Sequence, residues 1–313
     1  MKINIAQRTS RYSVNFDLLK KEFEIVNNWK DADIILCEST IPNEIPKERY
    51  KDIILLQRES PLTSHRIWTY ENFHKFHTVF VNNPNGENQF NFTDKPIVFP
   101  WDPLIQLFKK RENTTLKTRN IFFAGKKSQR YASRPDRFGC STLYDVRDKL
   151  VSDLSKFPTF KMYGVGWDFC ISGKSTKAIY TEHTNWIPLK IEDISDSESD
   201  FVICIENTIQ PNLIADKIHD GFNSDRAVLY FGEQNIEKYV PKDCFVDLRP
   251  YFDKETKKLD AKKIYELTQK MTQEEYDKII NNAREWRKTL VGLHEIEEDK
   301  LTKFIIERIK CQK

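Results

Sequence analysis

Short, almost unbroken apolar runs constrain this chain most. They recur at 2–6, 33–37, 52–57, 78–82, 97–100, 120–124, 160–164, 200–206, 227–232 and 244–247. Within them stand IILL at 53–56 and FVICI at 201–205. A strand with one wet face alternates polar and apolar residues, whereas a strand covered on both faces does not. Between the runs lie helical patterns at 17–24, 144–157 and 213–223. That rhythm predicts an α/β chain with parallel sheets flanked by helices.

The run of helices and strands breaks at 107–118, LFKKRENTTLKT, which is polar and charged. A domain boundary is expected there, giving a first unit over 1–112, a second over 113–290 and a terminal helix over 291–313. The tail is helical. Thr272 and Glu275 form the Thr-x-x-Glu signature of a capping box. Tyr276, Ile279, Ile280, Ala283 and Trp286 then fall on one helical face. A last helix is expected over 297–310, and SDSESD at 195–200 reads as an acidic loop.

Composition narrows the function classes. With 313 residues, 39% hydrophobic and 31% charged, the chain is too apolar for a disordered protein and too polar for a membrane bundle. Fifty Lys and Arg against 47 Asp and Glu leave a net charge of +3. Nucleic acid is therefore not expected as a partner, despite basic stretches at 107–119 and 126–137. Nine glycines form neither GxGxxG nor GxxxxGK[ST], which removes the common glycine-rich phosphate cradles. No apolar run reaches the ~20 residues that span a bilayer, so no transmembrane segment is expected; peripheral membrane association stays open.

The six cysteines, at 37, 140, 170, 204, 244 and 311, form no CxxC pair. Cys37 and Cys204 sit in apolar runs, as buried free thiols do. With an N-terminus that soon turns polar, this points to a reducing, cytoplasmic setting. The Asn-x-Thr sequons at Asn91 and Asn113 are then chance occurrences.

In open α/β sheets, ligands bind beyond the carboxyl ends of the strands. Two carboxylates stand at such ends: Glu59, after DIILLQ, and Glu206, after DFVICI. Beyond Glu206, a short loop leads into a helix opening near Ala215, Asp216 and Lys217. A helix N-terminus facing strand ends attracts anions, a lysine in its first turn adds a phosphate charge, and an aspartate there can accept from a ribose hydroxyl. Equally, aspartate in a first turn is favoured by the helix dipole, and helical lysines usually face solvent.

Other candidates carry less. Asp31 and Asp33 spell the Asp-x-Asp metal motif but precede a strand in the first half, where they mark a turn. His74 and His77 lack further ligands at metal-site spacing. Trp68, Tyr70, Phe73, Phe76, Trp101 and Trp167 could line a sugar groove or belong to the core. Ser60 has no histidine partner that would make a hydrolase.

The stretch 200–253 resembles glycosyltransferase family ten, the α-1,3/4-fucosyltransferases. That family carries a strand ending Phe-Glu-Asn-Ser/Thr, a Tyr-Val-Thr-Glu-Lys-Ile helix, Val-Pro-Val-x-x-Gly and Pro-x-x-x-Phe. Here, without an inserted gap, stand Ile205-Glu206-Asn207-Thr208, Leu213-Ile214-Ala215-Asp216-Lys217-Ile218, Ala227-Val228-Leu229-Tyr230-Phe231-Gly232 and Pro241-Lys242-Asp243-Cys244-Phe245. Leu213, Asp216 and Val228 stand where the family has Tyr, Glu and Pro. Arg147-Asp148-Lys149-Leu150, followed by Tyr163-Gly164, resembles the family's helix with a diphosphate-binding arginine. Arg134 and Arg137 are rivals for that role. Glu59-Ser60-Pro61 resembles the tripeptide whose glutamate is taken as catalytic base.

The resemblance implies a GT-B fold: two Rossmann-like domains facing a cleft, with C-terminal helices packing back toward the first. It implies an inverting, metal-independent transfer of L-fucose from GDP-fucose to a glycan hydroxyl. The N-terminal domain would present the acceptor, an oligosaccharide or polysaccharide, and the C-terminal domain would hold the nucleotide sugar. Glu59 would be the base. Arg147 and Lys217 would meet the diphosphate, Asp216 the ribose, and Glu206 and Asn207 the sugar or its loop. No cofactor is implied beyond the donor. The departures at Leu213 and Asp216 leave open another nucleotide sugar, or a non-catalytic nucleotide-sugar or glycan-binding protein on the same fold.

Overall fold

The computed structural model describes residues 1–6, 14–38, 41–57, 75–81, 110–112, 114–125, 141–163, 167, 194–195, 197–209, 214, 216–290 and 293–310. Two five-stranded sheets, parallel throughout, organise them. The first contains β1 (Lys2–Ile5), β2 (Glu24–Val26), β3 (Ile34–Glu38), β4 (Ile53–Gln57) and β5 (Thr78–Val81), in the order β2-β1-β3-β4-β5. The helix α1 (Phe16–Glu22) joins its first two strands.

In the second half, β6 (Ile121–Ala124) is followed by the short β7 (Ser141–Thr142), α2 (Tyr144–Leu154) and β8 (Phe160–Tyr163). Then come β9 (Phe201–Ile205), the short β10 (Thr208–Ile209), α3 (Asp216–Asn223), β11 (Ala227–Phe231) and β12 (Val246–Asp247). The second sheet has the order β12-β11-β9-β6-β8. Numbered within their own sheets, both read 2-1-3-4-5. In that topology the crevice for a ligand opens where the first and third strands lie side by side, beyond their carboxyl ends. In the second sheet that place is between β6 and β9.

Within the described residues the apolar runs form strands, although only Val246–Asp247 of the run at 244–247 does so. Every residue of β6, β9 and β11 is buried, with side chains shared between the cores on the two sheet faces. Gly221 of α3 lets the helix lie close on the sheet. A Cβ there would stand 2.6 Å from Val228 Cγ2 and 2.9 Å from Val202 Cγ1. Gly221→Ala is expected to destabilise the fold by about 1–3 kcal/mol through overpacking, reduced by the ~1 kcal/mol that alanine gains over glycine in a helix. Thermal melting of this one variant checks the balance, and an unchanged or raised melting temperature would show that α3 can shift outward.

The remaining elements are the hairpin of β13 (Phe252–Asp253) and β14 (Lys258–Leu259), then α4 (Ala261–Lys270), α5 (Gln273–Leu290) and α6 (Leu293–Lys310). The capping box of α5 forms as expected: Thr272 N donates to Glu275 Oε2 at 2.8 Å, and Glu275 N donates to Thr272 Oγ1 at 3.2 Å. From α5, Tyr276 and Ile280 pack into the core of the second sheet. By contrast α6 crosses to the first sheet, where Ile305, Ile306 and Ile309 join Ile3, Leu19, Leu36 and Ile54. Asn15 fixes the crossing: it caps α1 with its side-chain oxygen, while its own N–H donates to Thr302 Oγ1 at 2.7 Å. The expected GT-B-like pattern of two Rossmann-like domains with a returning C-terminal helix is what the fold contains.

Several local expectations change. The helix predicted over 17–24 ends at Glu22, because β-branched Ile25 and Val26 form an edge strand instead. Helix α4, capped by Asp260, was not predicted; its many lysines hide the buried stripe of Ala261, Ile264 and Thr268. The predicted acidic loop at 195–200 is not wholly solvated. Ser197, Ser199 and Asp200 are buried, and Asp200 accepts from the backbone N–H of Lys117, Thr118 and Arg119 and from the Arg111 guanidinium. Arg111 also reaches the Tyr276 hydroxyl, and its N–H donates to Asp225. Arg111 and residues 117–119 are thus tied to the second half of the chain through Asp200, Asp225 and Tyr276. The predicted strand at 97–100 lies outside the described residues.

Candidate functional site

At the carboxyl end of β9 the chain runs into Glu206 and Asn207. Glu206 N extends the sheet by donating to Phe231 O at 3.0 Å. Asn207 O accepts from Leu143 N at 2.9 Å, and β10 pairs antiparallel with β7 beside it. This small sheet brings the start of α2 to the strand end. Arg147, in the first turn of α2, is 4% exposed and donates from Nη1 to Asn207 Oδ1 at 3.3 Å. Its guanidinium also lies over the Tyr144 ring, 4.5 Å from the centroid, and 3.7 Å from Asp148. Burial pulls its pKa below the usual arginine value, and Asp148 and Tyr144 push it back. A guanidinium stays charged under such a shift, so the helix start presents a poorly solvated cation.

The second helix start arrives from the other side. Asp216 opens α3 and Lys217 follows. Lys217 Nζ stands 3.8 Å from Glu206 Oε2, with the lysine side chain 17% exposed. Cys204 Sγ donates to Lys217 O at 3.0 Å, which ties α3 to β9. Thus Arg147, Glu206, Asn207 and Lys217, which the sequence singles out separately, are brought together at one strand end. Two cations from two helix N-termini flank two adjacent residues. Cationic side chains at two helix starts suit a small polyanion.

Two further side chains belong to the cluster, and sequence reasoning did not find them. Tyr230, 1% exposed, lies on β11 and directs its hydroxyl to Glu206 Oε1 at 3.5 Å. Burial, followed by the charge of Glu206, raises its pKa well above the tyrosine norm, so the phenol keeps its proton. Glu233, 1% exposed, follows β11. Its N–H donates to the Tyr230 hydroxyl at 3.0 Å, and its Oε1 accepts from Asn235 N at 2.9 Å. Arg249 anchors the same loop, bonding Gln234 O, Glu237 and Asp247. The available signals were a hydroxyl inside an otherwise apolar strand and a third carboxylate after a strand end.

Glu59 lies outside the described residues, two positions beyond β4. Arg134, Arg137, Trp68, Tyr70, Phe73, His74 and Trp101 lie outside them too. Phe76 is core, stacked on Tyr50 at 5.1 Å. Trp167 is core as well, fully buried against Phe123 and donating to Gly125 O at 2.6 Å. Asp33 accepts from Lys2 N at 2.7 Å ahead of β3, so the Asp-x-Asp spelling marks a turn into that strand. Among the described residues, no three His, Cys, Asp or Glu side chains cluster as metal ligands. No described helix is long and apolar enough to cross a membrane.

No family model matches this sequence, and no curated protein matches it. Solved structures do. An α1,3-fucosyltransferase bound to GDP-fucose superposes with a TM-score of 0.53 at 13% identity, covering 89% of this chain and 80% of the other. Anabaena Alr3699/HepE bound to UDP-glucose superposes with a TM-score of 0.50 at 12% identity, over 87% of this chain and 79% of that one. At such identity the likeness concerns the backbone, and it agrees with the two sheets and the returning helix described above. This chain has a GT-B-like fold: two Rossmann-like sheets with a C-terminal helix returning to the first.

Proposed function

We propose that the chain is an inverting glycosyltransferase that moves a sugar from a nucleoside diphosphate to a hydroxyl of a glycan acceptor. The observation that carries this reading is the pairing of Arg147 and Lys217, from two helix starts, around Glu206 and Asn207 at the strand-order switch of the second sheet. In the reaction the acceptor oxygen attacks the anomeric carbon as Glu59 takes its proton, and the bond from that carbon to the diphosphate breaks. Charge grows on the departing diphosphate, where Arg147 and Lys217 stabilise it. Asp216 would accept from the ribose, and Asn207 would order the loop that Arg147 touches. With two cationic side chains on the leaving group, turnover without a divalent metal is the expected behaviour.

The motif from Ile205 to Phe245 favours GDP-fucose as donor, with an α-1,3 linkage as product. A UDP-sugar is the second reading. Leu213 and Asp216 depart from the fucosyltransferase pattern, and the fold is about as close to the UDP-glucose complex as to the GDP-fucose complex. A non-catalytic binding protein is the third. One melting experiment with GDP, UDP, GDP-fucose and UDP-glucose separates them. A ligand bound at a hundredfold excess over Kd stabilises by ~2.7 kcal/mol, so the true donor should raise the melting temperature clearly. Slow release of nucleoside diphosphate from that donor, continuing in EDTA, would mark an enzyme of the proposed type. Stabilisation without release would favour the binding protein, and stabilisation by none of the four would remove the nucleotide reading.

A further inference from the structure

We infer that Tyr230 is a positioning residue: its buried hydroxyl holds the Glu206 carboxylate in place, so that Lys217 can leave Glu206 for the diphosphate of a bound nucleotide. This rests on the nucleotide reading above and names a residue behind it.

The argument begins with charge. Glu206 and Glu233 are both buried at the ends of neighbouring strands, and Lys217 stands within ion-pair distance of Glu206. An anion that draws Lys217 toward itself weakens the ion pair of a carboxylate that is only 2% exposed. Weakening the ion pair of so buried a carboxylate opposes binding. A neutral donor that cannot follow the lysine reduces that opposition.

Tyr230 has the required properties. Its strand is in register with β9, Tyr230 opposite Cys204, so its ring lies on the face that Cys204 and Glu206 share. The ring is fixed edge-on against Phe245, with centroids 5.7 Å apart. The phenol oxygen accepts from the Glu233 N–H at 3.0 Å and donates to Glu206 Oε1 at 3.5 Å. Gly232 closes the arrangement. A Cβ there would lie 2.4 Å from Glu206 Cγ and 2.6 Å from the Tyr230 oxygen, so the carboxylate, the phenol and the turn meet only because position 232 has no side chain.

Removing the hydroxyl should leave Lys217 as a more indispensable partner of Glu206, and so less available to phosphate. The effect must therefore vanish when Lys217 is absent. The experiment is a four-protein cycle of wild type, Tyr230→Phe, Lys217→Ala and the double variant. Binding of GDP and UDP is followed by calorimetry, with melting temperatures alongside. Tyr230→Phe should weaken the nucleotide that wild type binds by about three- to tenfold, the scale of one ordinary hydrogen bond, because 3.5 Å is long for a phenol–carboxylate contact. In the Lys217→Ala background the same change should cost less than about twofold. Equal losses in both backgrounds, or no loss in either, would overturn the positioning role while leaving the nucleotide reading intact. If wild type binds neither nucleotide, the reading fails and the inference falls with it. Gly232→Ala presses on the same contact from the backbone and serves if Tyr230→Phe does not fold. Its loss must likewise depend on Lys217, and a Lys217-independent loss counts against the role.

Discussion

Replacing Lys217 by alanine should weaken nucleoside diphosphate binding by roughly ten- to a hundredfold. The magnitude follows from the type of contact, since a hydrogen bond to a charged partner contributes about 1.5–3 kcal/mol and each 1.4 kcal/mol is tenfold. Its placement favours the upper part of that range. Lys217 sits at the start of α3, where the helix dipole already favours an anion, and its side chain is largely shielded from water. Alanine there also takes the ammonium from the buried Glu206, so the variant should melt lower than wild type. Lys217→Arg separates the two effects, because it restores a cation to Glu206 while changing the shape offered to phosphate. Titration with GDP and UDP, beside melting curves of all three proteins, measures each part. Wild-type affinity in a folded Lys217→Ala protein would place the diphosphate elsewhere.

The sequence made the parts of this site legible more readily than their arrangement. Buried parallel strands leave nearly continuous apolar runs, so β4, β9 and β11 can be read from IILLQ, FVICI and AVLYF almost to the residue. Residues just beyond those runs are then strand-end residues by construction, which is how Glu206 and Asn207 come into view. Lys217 is found because a helix must follow the strand. What joins them was hidden, since the order of strands in a sheet is set by contacts far apart in the chain. The β7–β10 pair that carries Arg147 to Asn207 is only two residues long on each side. Tyr230 was hidden for another reason. Its strand reads as uniformly apolar and an aromatic ring suits a core, so only the fold, which sets Glu206 beside it, gives the hydroxyl a role. Asp200 shows the same limit in reverse. It stands in an acidic run that looks solvated, yet the backbone amides at 117–119 require a buried acceptor and it supplies one.

Glu59→Gln should lower kcat by about 10²–10⁴ while leaving nucleotide affinity and melting temperature near wild type. A positioned general base contributes a factor of that order, and glutamine keeps the size of glutamate while removing its capacity to take a proton. The expectation builds on β4, which lies between β3 and β5 and whose residues Ile53, Ile54, Leu55 and Leu56 are essentially inaccessible to water. That strand is held by β3 as far as Leu56 and by β5 as far as Gln57, and Glu59 follows two positions later in the sequence. Nucleotide affinity should hold because Arg147, Asn207 and Lys217 all belong to the second sheet and its helices. If Glu59 instead served only the fold, its substitution would lower the melting temperature or change nothing, and turnover per folded molecule would persist. Near-wild-type kcat with an identified acceptor would therefore remove Glu59 as the base. Of the carboxylates left at the strand ends, Glu206 and Glu233 are both buried and hydrogen-bonded within the protein, so neither could replace it without first being released from its present partners.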